Sequence, residues 1–154
     1  MKNSVSKLAL FALTLWVLTV GVLGTFFIKG WTKPSTDKRK AIVLSPSERD
    51  IVLGEMRALL KGVNGVFRGL AQNDQSFILK AIGPVGTKMA ADINPMLMGK
   101  LPMEFKQLGM GLHKDFDVLA IDIKHGISND IVIKRMGEMT NKCIACHEVY
   151  RLSP

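Results

Sequence analysis

The chain has 154 residues, of which 47% are hydrophobic, 22% charged and 6% aromatic. That apolar fraction excludes a disordered chain, and two cysteines cannot staple a chain of this length as a disulfide scaffold. The net charge of +8 admits contact with nucleic acid or an anionic membrane without establishing either.

The first element is residues 8–28, LALFALTLWVLTVGVLGTFFI, 21 residues without a charge. At ~1.5 Å per residue it spans roughly 30 Å, the thickness of a bilayer's hydrocarbon core. Lys2 and Lys7 precede it, and Lys29 and Trp31 follow it as interfacial anchors would. The rival reading is a cleaved signal peptide with Val22 and Gly24 before the cut. Signal sequences usually stop at ~7–15 apolar residues, whereas this run continues through Phe26, Phe27 and Ile28, so residues 1–28 read as an uncleaved transmembrane helix. Lys29, Lys33, Lys38, Arg39 and Lys40 outweigh the cations ahead of the span. Charge alone therefore favours the C-terminal part in the cytoplasm. Residues 29–44, with Pro34, Ser35, Thr36 and this basic run, read as a polar linker. Its cations either rest on anionic lipid headgroups or are simply solvated.

From Ser45 onward the pattern is helical. Ser45-Pro46-Ser47-Glu48 is a capping box with proline at the first helical position. It opens a seam of Val52, Met56, Leu59, Val63, Val66 and Leu70. Asp74 caps a second helix with seam residues Ile78, Ile82, Val85, Met89 and Ile93, kinked or split at Pro84 and ended by Asn94-Pro95. Residues 94–100 read as a loop, and Pro102 suits a first helical turn. The third seam is Phe105, Leu108, Leu112, Phe116, Leu119 and Ile123, stopped at His125-Gly126 with Gly126 as a left-handed cap. Ser128 or Asn129 opens the fourth helix, whose seam is Val132, Met136, Met139, Cys143, Cys146 and Tyr150. Short connections make sequential helices antiparallel. The expected fold is all-α: an N-terminal transmembrane helix, then an up-down-up-down four-helix bundle over residues 45–154.

The chemistry concentrates in Cys143-Ile144-Ala145-Cys146-His147. Cys-x-x-Cys-His is the attachment signal of c-type haem. The two thiols reach the two vinyl groups on one edge of the porphyrin, and the next residue puts an imidazole on the iron. On a helix these three side chains fall within an arc of roughly 100°. A thioredoxin-like pair would sit at a helix start after a strand, and none is expected here. Zinc would want a fourth ligand, and the chain has no further cysteine. Because only seven residues follow His147, any sixth iron ligand must come from upstream, across the bundle.

The motif in the last helix of a four-helix bundle resembles the class II, cytochrome c prime-type family. The resemblance covers roughly residues 45–152. It rests on Leu101-Pro102 with Glu104-Phe105-Lys106, on Leu112-His113 with Phe116-Asp117 and Leu119-Ala120, and on Cys143 to His147 with Tyr150-Arg151. His147-x-x-Tyr150-Arg151 is also similar to the noncovalent b-type cytochrome of the same bundle fold. The resemblance implies one covalent haem c on Cys143 and Cys146, with His147 as a metal ligand. It implies a first-helix methionine as sixth ligand in some members, and the matching position is Met56, in Glu55-Met56-Arg57. Met56 also falls on the core seam, where it could simply fill space.

With Met56 on the iron, a Met/His pair raises the potential and suits electron transfer. Without it, the resemblance implies a five-coordinate haem open to a small gas such as nitric oxide. A structural haem subunit of a respiratory complex is a separate alternative. Arg151 is a candidate partner for a haem propionate, the alternative being a solvated arginine; Lys142 and Lys134 are weaker candidates. His113 reads as a surface or capping histidine, and Met89, Met96, Met98, Met103 and Met110 as core and loop residues rather than a soft-metal surface. The resemblance puts haem attachment on the periplasmic side of the bacterial inner membrane, and this overrides the charge count. The expected protein is a membrane-tethered electron carrier and not an enzyme. Its expected partners are redox proteins of a membrane respiratory complex, with a homodimer left open and nucleic acid not expected.

Overall fold

The computed structural model describes residues 6–91 and 93–153; Lys2, expected to flank the apolar run, lies outside them. Helix α1 spans Lys7–Lys29, and none of its residues is buried. Its 23 residues make it roughly 35 Å long, and it is apolar enough to cross a membrane. The Ser6 side chain accepts from the Ala9 N–H at its start. The hydroxyls of Thr14, Thr19 and Thr25 each bond a carbonyl four residues back, so they present no unpaired donor to an apolar medium.

The capping box at Ser45 forms in full: the Glu48 N–H donates to Ser45 Oγ at 3.4 Å and the Ser45 N–H to Glu48 Oε2 at 2.8 Å. It opens α2, Pro46–Gln72. Asn73, left-handed at φ 52°, turns the chain, and Asp74 caps α3, Gln75–Ile82, by accepting from the Phe77 N–H. Pro84 splits the second expected helix as its missing donor requires. A 3-10 turn, Gly83–Val85, separates α3 from α4, Thr87–Ala91. Residues 94–100 depart from the expected loop. Asn94 accepts from the Met96 N–H and Pro95 sits in the first turn of a short helix α5, Pro95–Lys100. Helix α6 is Met103–Lys124, and Gly126 at φ +79° reverses the chain. Helix α7 is Asn129–Val149.

Helix α2 packs chiefly on α3, and α6 packs on α7, α3 and α4. The α2–α3 approach is close enough that a Cβ on Gly65 would collide with Ala81 Cβ. One apolar cluster gathers Val66, Ile78, Ile82, Leu112, Phe116 and Met136 with their neighbours. A second lies at the other end, around Ile42, Leu44, Val52, Leu97, Leu101 and Tyr150.

The fold is mostly helical, as expected, but a small sheet that was not expected borders the second cluster. Residues 29–44, read as a linker, hold strands β1, Thr32–Pro34, and β2, Lys40–Ile42. Strand β3, Tyr150–Leu152, continues directly from α7. The sheet order is β1-β2-β3: β1 and β2 are antiparallel with Thr32 opposite Ile42, and β2 and β3 are parallel with Ile42 opposite Leu152. The cause is local composition. Ala41-Ile42-Val43-Leu44 is apolar, and Ala41, Ile42 and Leu44 are buried. Their backbone donors and acceptors must then be paired, and the sheet pairs them.

Candidate functional site

One cleft of about 250 Å³ opens where the end of α7 meets the start of α2. Arg49, Leu53 and Met56 line it from α2, Phe105 from α6, Cys146 and His147 from α7, Tyr150, Arg151 and Leu152 from β3, and Arg39 from the turn just ahead of β2. Arg49, Leu53 and Met56 share a face because they stand four and three residues apart on one helix. Helix α7 reaches the cleft with its last turn, so His147 is exposed while Cys146 is half-buried. Helices α2 and α7 are not among the closely packed pairs, and the cleft occupies that separation.

The structure thus brings Met56, Cys146, His147 and Arg151 to one place. It does not bring Cys143 into the lining. Cys143 lies one turn back, half-buried against the first apolar cluster, with its thiol directed to the Met139 carbonyl at 4.0 Å. Cys146 borders the second cluster, as does Met56. Burial pushes the Cys146 thiol up to about 11, with a further push from Cys143, and burial raises Cys143 as well. A thiol–disulfide exchange pair needs the opposite shift.

Arginines surround the cleft. Arg39 ends α7: its Nη1 donates to the His147 carbonyl at 3.1 Å and the Tyr150 carbonyl at 3.4 Å, groups a helix terminus otherwise leaves open. Asp37 holds Arg39 through Nε and Nη2 at 2.9 and 2.7 Å and accepts from Arg151 Nη1 at 3.3 Å. The Arg39 guanidinium keeps the Asp37 carboxyl well below the usual carboxylate range. Arg151 also donates to Ser35 Oγ at 3.1 Å. The Arg49 Nε is buried with no hydrogen-bond partner among the described residues. A buried guanidinium nitrogen without an acceptor is costly unless an anion meets it. Tyr150 packs edge-on against Phe105 at 5.7 Å and donates to Glu104 Oε2 at 2.7 Å. Burial and that carboxylate hold the phenol neutral by raising it.

The weaker candidates fall elsewhere. Lys142 Nζ pairs with Asp115 Oδ2, and Lys134 is exposed. His113 is buried, not at the surface: its Nδ1 meets the Val85 carbonyl at 2.8 Å, which tethers the 3-10 turn to α6. Sequence reasoning missed Arg39 and Arg49. Arg49 was legible, seven residues before Met56 and therefore on its face. Arg39 was not, because only the sheet brings it to His147.

The lining holds part of the donor set that a c-type haem would use: the Met56 thioether and the His147 imidazole from different helices, the Cys146 thiol, and guanidiniums that would meet carboxylates. The second thiol, Cys143, lies one turn outside it. Comparison with protein-family models, with curated proteins and with solved structures gives no match.

Proposed function

We propose that this chain is a membrane-tethered c-type cytochrome that carries single electrons through one covalent haem. In this reading α2, α3 with α4, α6 and α7 are the four members of an up-down-up-down bundle, and α1 anchors it in the bacterial inner membrane with the haem domain on the periplasmic side. The observation that carries the reading is that Met56 and Cys146-His147, at least 90 residues apart in sequence, line one cleft between α2 and α7.

Bound haem supplies a one-electron iron couple, and a Met/His pair sets it at a raised potential. Every other role belongs to the chain. His147 and Met56 would ligate the metal, and Cys143 and Cys146 would form the thioethers. Arg39, Arg49 and Arg151 would balance propionate charge. Leu53, Phe105 and Tyr150 keep water from the cleft. Asp37 fixes two of the three guanidiniums in place before any anion arrives, which lowers the ordering cost of binding. The chain is a carrier rather than an enzyme, and its partners are redox proteins at the same membrane. A homodimer is compatible with this reading, and nucleic acid has no role in it.

Acid–acetone extraction of the protein matured in a haem-attaching host tests the reading. Haem should stay on the polypeptide, with one haem mass on the peptide holding Cys143 and Cys146. Complete extraction would overturn it.

A further inference from the structure

The junction between α1 and the rest of the chain is not a free tether. Gly30 sits at φ +64° with its N–H on the Phe26 carbonyl at 2.8 Å. A Cβ there would lie 2.5 Å from the Pro102 nitrogen and 2.6 Å from the Lys100 carbonyl oxygen, so only glycine fits this contact. The next N–H, from Trp31, donates to Lys100 O at 2.8 Å, and the Trp31 carbonyl accepts from Val43 at 2.8 Å. Lys106, buried on α6, reaches back to the Phe27 carbonyl at 3.2 Å and the Met98 carbonyl at 3.3 Å, with its ammonium 3.8 Å from the Phe27 ring centre. A cation at the carbonyl end of α1 is favoured by the helix dipole. No residue of α1 itself is buried against the domain.

The same junction is the site-bearing end of the molecule. Thr32 pairs with Ile42, and Ile42 with Leu152, so β3 lies two strand spacings, roughly 10 Å, from the chain leaving α1. Glu104, which binds Tyr150, is two residues from Lys106. The opposite end, where Asn129 bonds Asn73, lies beyond the full length of α6, about 33 Å.

We propose that this rigid joint holds the Cys146–His147 end of the domain at the surface of the bilayer that α1 spans, with Lys29, Lys33, Lys38 and Lys40 against anionic lipid headgroups. The inference rests on α1 being a retained span. The lysines at positions 33, 38 and 40 are exposed, and they follow the span within about a dozen residues. Positive charge near an anionic leaflet is favourable and falls off within a Debye length, which suits a lipid surface as the occupant of this face. The electron path then opens sideways along the membrane rather than upward into solution.

The full chain is placed in nanodiscs of phosphatidylcholine alone or mixed with phosphatidylglycerol, each with a trace of phospholipid carrying a headgroup diazirine. After photolysis, lipid adducts are mapped by mass spectrometry. Adducts are expected on residues 29–40 and 147–152 and not on 73–74 or 125–130. Phosphatidylglycerol should increase those on 29–40 several-fold, and Lys33→Gln/Lys38→Gln/Lys40→Gln should abolish the increase. A flexible Gly-Ser insertion between Lys29 and Gly30 should cause loss of adducts on 147–152 while those on 26–29 remain. Equal labelling of both ends, or labelling of 147–152 that survives the insertion, overturns the proposal. Loss of adducts on 26–29 in the wild type overturns the retained span instead.

Discussion

Replacing Met56 tests ligation and packing at once, and the structure lets the two be separated. Met56 is half-buried at the edge of the second apolar cluster. Full truncation of a buried methionine costs ~2–5 kcal/mol; half-burial leaves roughly 1–2 kcal/mol for Met56→Ala. Met56→Leu keeps the volume and costs under about 1.5 kcal/mol, yet it too removes the thioether. Thermal melts should therefore order the variants wild type, Leu, Ala. Carbon monoxide binding to the reduced protein should instead separate wild type from both variants, which should bind it alike and show lowered potentials. A wild-type ferrous protein that already binds carbon monoxide rapidly, with a high-spin spectrum unchanged by Met56→Leu, would refute ligation and favour a five-coordinate gas-binding haem.

Gly65→Ala should destabilise the fold by roughly 0–2 kcal/mol, because the collision with Ala81 Cβ outweighs the ~1 kcal/mol gain in helix propensity; Gly137→Ala, with nothing within 4 Å, should instead raise the melting temperature. Either Cys143→Ser or Cys146→Ser should lower haem content, and only the double variant should release all haem to acid–acetone. The Glu48 carboxyl is held at about 2, below its ordinary value of 4.5, first by the Lys100 ammonium and then by the Ser45 N–H. A depressed carboxyl contributes stability that is present above its unfolded value and lost as pH falls through the folded one. Wild-type melting temperature should thus fall between pH 4.5 and about 2 more steeply than that of Glu48→Gln, and equal slopes would remove this pair from the acid response.

What the sequence made legible was what neighbouring residues decide. The Ser45 box, the Asp74 cap, the break at Pro84 and the turn at Gly126 all stand where expected, because each depends on residues within one helical turn. Asn94-Pro95 carried a readable signal too. It reads as the end of one helix, but an acceptor side chain followed by proline is equally a helix start, and α5 begins there. The sheet was hidden for a different reason. Three-residue strands have no periodicity to detect, and β2 finds β3 more than a hundred residues away. Only the apolar run Ala41-Ile42-Val43-Leu44, inside a segment read as polar, hinted that it would be buried.

That long-range pairing also decides the shape of the site. A helix ending at His147 would leave its last carbonyls open, and continuing α7 would carry Tyr150 and Arg151 past the cleft. Instead Tyr150 turns extended at φ −119° while its N–H still bonds the Cys146 carbonyl. Arg151 then pairs with Ala41 across β2 and β3, which brings its guanidinium to Asp37 beside that of Arg39. The helix supplies the spacing of Cys143, Cys146 and His147, which is local and readable. The strand that follows supplies the Arg151 guanidinium and the Tyr150 phenol beside them, and its pairing with β2 brings up Arg39. On the proposed reading, attaching a porphyrin would need only the first, and holding its charged edge in a defined orientation would need both. For that reason Ser35, Asp37 and Arg39, in a segment whose composition suggests a mere spacer, belong to the site as much as the motif does.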